Sequence, residues 1–151
     1  MGQKAILRIL KQVEQGGLSA EDALLRLRME PFEDIGFAKI DHHRELRQGV
    51  AEVVFGAGKT PEQIAAIAAS MMRRGQRTIL ITRMSGEAAD FVGKTCPLRY
   101  DKTGKVGIIG EVPAPDGIGR IVVATGGTSD MPVAEEAALT AEALGNEAVR
   151  L

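Results

Sequence analysis

The sequence predicts an α/β fold, and three observations carry that prediction. Short β-branched runs alternate with capped helical segments between residues 51 and 93, the apolar run IVVAT (121–125) leads through a glycine-rich turn into a further helix, and an amphipathic helical pair precedes both. The order strand, helix, strand, helix favours a parallel sheet with right-handed crossovers.

Residues 3–15 (QKAILRILKQVEQ) place Ile6, Leu7, Leu10 and Val13 at helical spacing, and Gly16-Gly17 stop the pattern as a left-handed C-terminal cap does. In GLSAEDALLRLRMEP the Ser19 hydroxyl can accept from a first-turn amide, Asp22 suits the positive helix end, and Pro31 blocks continuation. Two short helices cannot bury their apolar stripes alone, so this hairpin is expected to dock on the main domain or on another subunit. The pattern changes from Phe37 onward. AEVVFG (51–56) reads as a strand, and TPEQIAAIAASMMRRG as a helix with Thr60 as N-cap, Pro61 at the first helical position, Gln63 closing a capping box and Gly75 as terminator. RTILITR (77–83) is a buried-type strand, and Ser85 opens the shorter helix GEAADFV, which Gly93 ends.

In LRYDKTGKVGIIGEV (98–112), Asp101, Lys102, Thr103 and Gly104 separate two extended segments, as in a hairpin. PAPDGIG (113–119) is a loop and the boundary between two α/β halves. IVVAT has the composition of a strand covered on both faces. Asp130 is the natural N-cap of the next helix, with Met131 and Pro132 in its first positions, Glu135 and Glu136 in its first turn, and Gly145 at its end. NEAVRL then begins another strand. A sheet of that extent lacks the strands that would cover IVVAT on its far side, so the sequence reads as the front part of something longer or as a domain completed by a partner.

Composition narrows the function classes. With 151 residues, 44% hydrophobic and 26% charged, the chain can bury a core. Its formal net charge of −1, with Lys and Arg scattered, leaves no footprint for nucleic acid or an anionic membrane. The single Cys96 excludes an intrachain disulfide, and the N-terminus has no signal-type apolar segment, so a cytoplasmic home is expected. No apolar run approaches the roughly 20 residues of a membrane-spanning helix.

Three stretches carry chemistry. In GGTSD, Gly126 and Gly127 allow unusual backbone angles and close approach of a ligand, Thr128 and Ser129 add hydroxyl donors, and the following helix start offers outward amides with positive potential beyond a strand's carboxyl end. Asp130 would repel a phosphate but could receive a ribose hydroxyl; a plain tight turn with an Asp cap is the alternative. VVFGAGKT (53–60) is not a phosphate loop, because the position that requires the first glycine is Val53; Lys59 can still offer an ammonium near an anion, or be a solvated loop lysine. In DHHRELRQG (41–49), the adjacent His42 and His43 do not share a face and lack further metal ligands, so zinc is not expected. Arg44 and Arg47, three apart, fall on one side of a helical turn and could grip a phosphate or carboxylate, or form a structural network with Asp41 and Glu52. Cys96 precedes Pro97 without a base nearby and reads as non-catalytic.

GGTSDMPVAEEAALTAEALG resembles the substrate turn of the PurE class, the phosphoribosylaminoimidazole carboxylase and mutase family. PFEDIGFAKIDHHRELRQGVAEVVFGAGKTPEQI resembles the LarB family, in which a PurE-like catalytic domain follows a distinct N-terminal region. With the helical leader these motifs cover nearly all of the chain. The resemblance implies residues 1–36 as helical leader, 37–112 as the LarB-type N-terminal α/β region, and 119–151 as the beginning of a truncated, flavodoxin-like PurE sheet. It also implies carboxylation of the pyridinium ring of nicotinic acid adenine dinucleotide and cleavage of its phosphoanhydride. The products are pyridinium-3,5-biscarboxylic acid mononucleotide and AMP, in the first step towards the nickel-pincer nucleotide cofactor.

By position, Gly127, Thr128, Ser129 and Asp130 match the PurE-type turn, while Asp41, Arg44, Arg47, Glu52 and Lys59 match the LarB signature. Glu135 is a weaker candidate for positioning substrate or a divalent ion. The resemblance implies CO2 or bicarbonate as co-substrate, no tightly bound cofactor, Mg2+ as the candidate cation, and a homo-oligomer, an octamer in the full-length PurE type. LarB proteins are commonly longer, and their cysteine nucleophile lies in the later portion. Nothing here matches it, so this chain is expected to bind substrate and to be inactive alone. Two rival readings are a PurE-like purine enzyme acting on aminoimidazole ribonucleotide, and a non-catalytic assembly module whose unpaired strand edges need a partner.

Overall fold

The structure, a computed structural model, describes residues 3–29, 32–41 and 52–151, and the chain divides into two compact units, Met1–Val50 and Ala51–Leu151.

In the first unit, α1 (Gln3–Glu14) and α2 (Ala20–Met29) pack as the expected hairpin. The Gly16 amide donates to Val13 O at 3.0 Å and the Gly17 amide to Gln12 O at 2.9 Å, a paired closure that Gly16 permits with φ +71°. Ser19 Oγ accepts from the Asp22 amide at 3.0 Å, which caps α2 as its sequence predicts. Leu7, Leu10, Leu24 and Leu25 remain more than half exposed. Pro31 lies outside the described residues. Next comes an antiparallel pair absent from the sequence-based reading, β1 (Phe32–Asp34) and β2 (Lys39–Asp41), in register Phe32 to Asp41. Its turn is closed by Asp34 Oδ1, which accepts from the Gly36 amide at 2.8 Å.

The second unit is built on a four-stranded sheet of order β3-β4-β6-β5. Its strands are β3 (Val53–Phe55), β4 (Thr78–Thr82), β5 (Leu98–Asp101) and β6 (Val106–Gly110). β3 and β4 are parallel, joined through α3 (Pro61–Arg73), while the β5–β6 hairpin adds antiparallel to β4. The expected parallel pairing and the expected hairpin are both present, and together they make the sheet mixed. α3 packs on α4 (Gly86–Val92), and the two helices contact β4 and β5 respectively.

Alternation along the strands separates two layers. Leu80, Val106 and Ile108 meet Leu139 and Ala143 of α5 (Met131–Ala143) on one face. Ile79, Ile81 and Ile109, all buried, point to the other face, where α3 supplies the buried Ile64, Ile67 and Met71. Each such side chain contributes about 1.5–3 kcal/mol of burial.

α5 also links β7 (Arg120–Val123) to β8 (Glu147–Arg150), which pair in parallel. The expectation that IVVAT is covered on both faces is not met: Ile121 is 42% and Val122 57% exposed. β7 pairs with β8 alone among the described residues, and α5 shields one face of that pair. No helix among the described residues is long and apolar enough to cross a membrane.

Candidate functional site

The carboxyl ends of the parallel strands gather at one end of the second unit. After β3 the chain turns through Gly56–Lys59, where the Lys59 amide donates to Gly56 O at 3.1 Å and Gly58 takes φ +77°. Gly56 is pressed onto the neighbouring strand end: its amide donates to Thr82 O at 2.7 Å, and a Cβ there would stand 2.9 Å from the same oxygen. This four-residue turn leaves no loop to encircle a phosphate, as the missing glycine at Val53 predicts. Lys59 is half-buried beside the start of α3, where Thr60 Oγ1 accepts from the Gln63 amide at 3.3 Å and Gln63 Oε1 accepts from the Thr60 amide at 3.0 Å.

β4 ends beside this turn. Arg83, just after it, ion-pairs through Nε with Glu136 Oε2 of α5 at 2.6 Å. Gly104, at the tip of the β5–β6 hairpin, lies against the same helix, where a Cβ would stand 2.9 Å from the Glu136 amide nitrogen. These contacts bring the first half of α5, and with it the turn after β7, to the end of the unit that holds Lys59 and Arg83.

That turn is open. Gly126, Thr128, Ser129 and Asp130 are exposed and Gly127 is half-buried. Neither glycine uses a left-handed backbone, contrary to the expectation of unusual angles; nothing lies within 4 Å of a Cβ on Gly126, so close approach of a ligand is what remains to it. The Ser129 Oγ and an Asp130 carboxylate oxygen converge over Gly127, 3.7 and 3.8 Å from where its Cβ would be.

Asp130 is the N-cap residue of α5, but its side chain makes no capping bond, which corrects the expected role. The cause is the backbone. Thr60 and Ser85 hold ψ of 158° and 156°, so their hydroxyls fold back onto first-turn amides, whereas Asp130 sits at φ −92°, ψ −12°, already helical. α5 also has no acidic residue in its first turn. Because the helix starts at Met131, Glu135 and Glu136 fall in the second turn, not the first as predicted. The first turn of α5 thus has neither a side-chain cap nor a carboxylate of its own, but its amides are mostly spoken for: Val133 and Ala134 donate to Asp130 O, each at 3.0 Å, and Pro132 has no N–H.

Glu135 is engaged elsewhere. Arg150 Nε donates to its two oxygens at 3.1 and 2.8 Å and Nη2 adds a bond at 2.8 Å, while Nη1 reaches Glu142 at 2.6 Å. A divalent ion on Glu135 would have to displace this fork, and among the described residues no three His, Cys, Asp or Glu side chains converge to hold a metal. Hydrogen bonds from Arg150 hold the Glu135 carboxyl below the usual glutamate range. A lowered folded-state value means stabilisation that is complete above the unfolded value, near 4.3, and is lost as pH falls through the folded one. Glu135→Gln is expected to cost about 1 kcal/mol at neutral pH, since solvent screens the partly exposed Arg150. Urea unfolding followed from neutral to acid pH should show that this variant loses part of the wild-type acid dependence.

The remaining sequence candidates fall on other parts of the chain. Asp41 ends β2 in the first unit, and Arg44 and Arg47, with His42 and His43, lie outside the described residues. Glu52 is half-buried just before β3, and its carbonyl accepts from Gln76 Nε2 at 3.2 Å. Cys96 is buried, its Sγ 3.7 Å from Thr95 Oγ1. The structure thus keeps Lys59 and Gly127–Asp130 at one end of one unit and adds Arg83, which sequence reasoning misses. A cation placed between a strand's end and the Ser85 cap was the available signal.

Two comparisons bear on this arrangement. Residues 32–111, from β1 through the β5–β6 hairpin, match the family model described as the LarB/PurE-like N-terminal domain. The chain is also similar to an uncharacterized protein of Methanocaldococcus jannaschii, at 30% identity over 156 residues, which covers 97% of this chain and 60% of that protein. The chain thus spans about 60% of the length of the curated relative it matches.

Proposed function

The chain belongs to the LarB/PurE-like family, and on that premise we propose that it belongs to an enzyme that carboxylates nicotinic acid adenine dinucleotide. A ring carbon of the pyridinium forms a bond to CO2 and releases its proton to solvent, and water cleaves the phosphoanhydride, which yields pyridinium-3,5-biscarboxylic acid mononucleotide and AMP. The observation that carries this reading is the exposed turn Gly126–Asp130 at the start of α5, which has no side-chain cap and lies beyond the carboxyl ends of parallel strands.

Each group there has a task in binding such a substrate. The hydroxyls of Thr128 and Ser129 and the Met131 amide donate to a phosphate; Pro132 has no N–H, and the Val133 and Ala134 amides are held by Asp130 O. The Asp130 carboxylate, free of any capping bond, accepts from a ribose hydroxyl, and the Lys59 ammonium balances phosphate charge. The one cysteine is buried, so a covalent step through a thiol has no exposed nucleophile in these 151 residues. Their part is to bind and position the dinucleotide, with turnover requiring groups beyond them.

Calorimetric titration and thermal unfolding of the 151-residue chain test this. Nicotinic acid adenine dinucleotide at a hundred times its dissociation constant should stabilise the fold by about 2.7 kcal/mol. Aminoimidazole ribonucleotide should leave it unchanged. Stabilisation by the second compound alone would move the assignment to a PurE-like purine enzyme, and no response to either would remove the site.

A further inference from the structure

The apolar layer between α5 and the four-stranded sheet stops short at the sheet's outermost strand, β3. Val53 packs against the cluster that Leu80 and Leu139 share, and Phe55, two residues on, projects from the same face of the strand. α5 lies over β4 and β6, and Phe55 is left 57% exposed at the strand's carboxyl end.

Parallel register sets Phe55 opposite Thr82, so the two side chains stand on one face with their backbones about 5 Å apart. Thr82 is only 8% exposed, and its hydroxyl has no hydrogen-bond partner among the described residues. Ser70, the other buried polar side chain there, is partnered. A buried hydroxyl left without a partner costs more than a typical hydrogen bond contributes, and valine would fill the same space at no such cost. The turn that carries the half-buried Lys59 is tied to this point, because the Gly56 amide donates to Thr82 O at 2.7 Å. A lone exposed phenylalanine is ordinary on a protein surface. Here it is a flat apolar face with an unsatisfied donor at its side, where parallel strands end, which is the composition of a site for a flat polar ring.

We propose that Phe55 and Thr82 bind a planar nitrogen heterocycle of the ligand, with the ring stacked on Phe55 and a ring nitrogen or a ring substituent accepting from Thr82 Oγ1. This deepens the reading above and rests on it for the ligand's identity, a dinucleotide with two such rings, adenine and a pyridinium. Either ring offers a π-face to the phenylalanine, and a pyridinium adds the attraction of a cation for the aromatic face.

AMP and nicotinic acid mononucleotide each carry one of the rings, and calorimetric titration of both into the 151-residue chain tests the assignment. Wild type should bind at least one of them. Phe55→Leu keeps an apolar side chain and loses the flat face; it should bind that nucleotide at least tenfold more weakly while melting within about 2 °C of wild type. Ribose 5-phosphate, which lacks the ring, should bind both proteins equally. Thr82→Val should bind the nucleotide several-fold more weakly with an unchanged or higher melting temperature, because no internal hydrogen bond is lost; a lower melting temperature would assign the hydroxyl to the fold and overturn its part in binding. Equal nucleotide affinity in wild type and Phe55→Leu, an equal loss for ribose 5-phosphate, or no binding of either nucleotide by wild type would overturn the assignment. Nicotinic acid adenine dinucleotide separates the two readings. Phe55-dependent binding of AMP without dinucleotide binding supports this assignment and removes the proposed substrate, whereas dinucleotide binding that Phe55→Leu leaves unchanged overturns this assignment alone.

Discussion

Gly110→Ala is expected to destabilise the second unit by about 3 kcal/mol or more and to lower its melting temperature by roughly 10 °C. Gly110 ends β6 opposite Thr78, at φ +88°, and a Cβ there would overlap the Arg77 carbonyl oxygen. Left-handed backbone alone costs a side chain about 1–2 kcal/mol. The overlap adds to it because the obstacle is backbone that cannot rotate away. To make room, β4 would have to shift where the Thr78 hydroxyl donates to Glu111 O and where Thr78 is in register with Gly110. Gly126→Ala is the control: its backbone is ordinary and the space around it open, so its melting should match wild type within about 0.5 kcal/mol. If Gly110→Ala melted like Gly126→Ala, the end of the β4–β6 pairing would not be as described.

The contrast between those glycines shows what the sequence makes legible. Caps and terminators are local, and they read correctly: the Thr60 capping box, the Ser85 and Ser19 caps, and Gly16, Gly75 and Gly145 at helix ends all occur where the pattern puts them. Each depends on side chains within four residues of the backbone they serve. Gly110 lies in IIGEV, where nothing nearby announces that a carbonyl from 33 positions earlier will press on it. The β1–β2 pair is missed for a different reason. Its strands are three residues each, too short for period-two alternation to register, and the one signal was the Asp34-Ile35-Gly36 turn.

At the candidate site the sequence identifies the segment but not its local conformation. GGTSD correctly marks a turn between strand and helix, yet the backbone at Asp130 is helical, which removes the capping bond and moves Glu135 and Glu136 into the second turn. Residue type cannot separate the two outcomes, because aspartate suits an extended cap and a helical turn alike. The Glu135 partner was equally hidden, since Arg150 arrives from β8, fifteen residues away, across the α5–β8 contact. Arg83 is marked in the sequence only by its place between a strand's end and the Ser85 cap, because its left-handed backbone, φ 53°, has no local signature. Gly56, which packs on the Arg83 carbonyl, comes from the end of a different strand.

Ser129→Asp should weaken binding of nicotinic acid adenine dinucleotide by about 10- to 100-fold, which is about 1.4–2.7 kcal/mol, while shifting thermal stability by less than about 0.5 kcal/mol. Two electrostatic effects offset each other in the free chain. A negative side chain beside the start of α5 interacts favourably with the helix end, by about 0.3–1 kcal/mol, but Ser129 Oγ and the Asp130 carboxylate already converge over Gly127, so the new carboxylate also faces a like charge. The same charge would occupy the space and the potential that a phosphate needs. Ser129→Ala removes one hydroxyl donor without adding charge, and should weaken binding only several-fold. If the segment were merely a strand-to-helix turn, both variants would bind the dinucleotide as wild type does. Raising the salt concentration discriminates further: screening should diminish the penalty of Ser129→Asp more than that of Ser129→Ala, because only the former acts through charge.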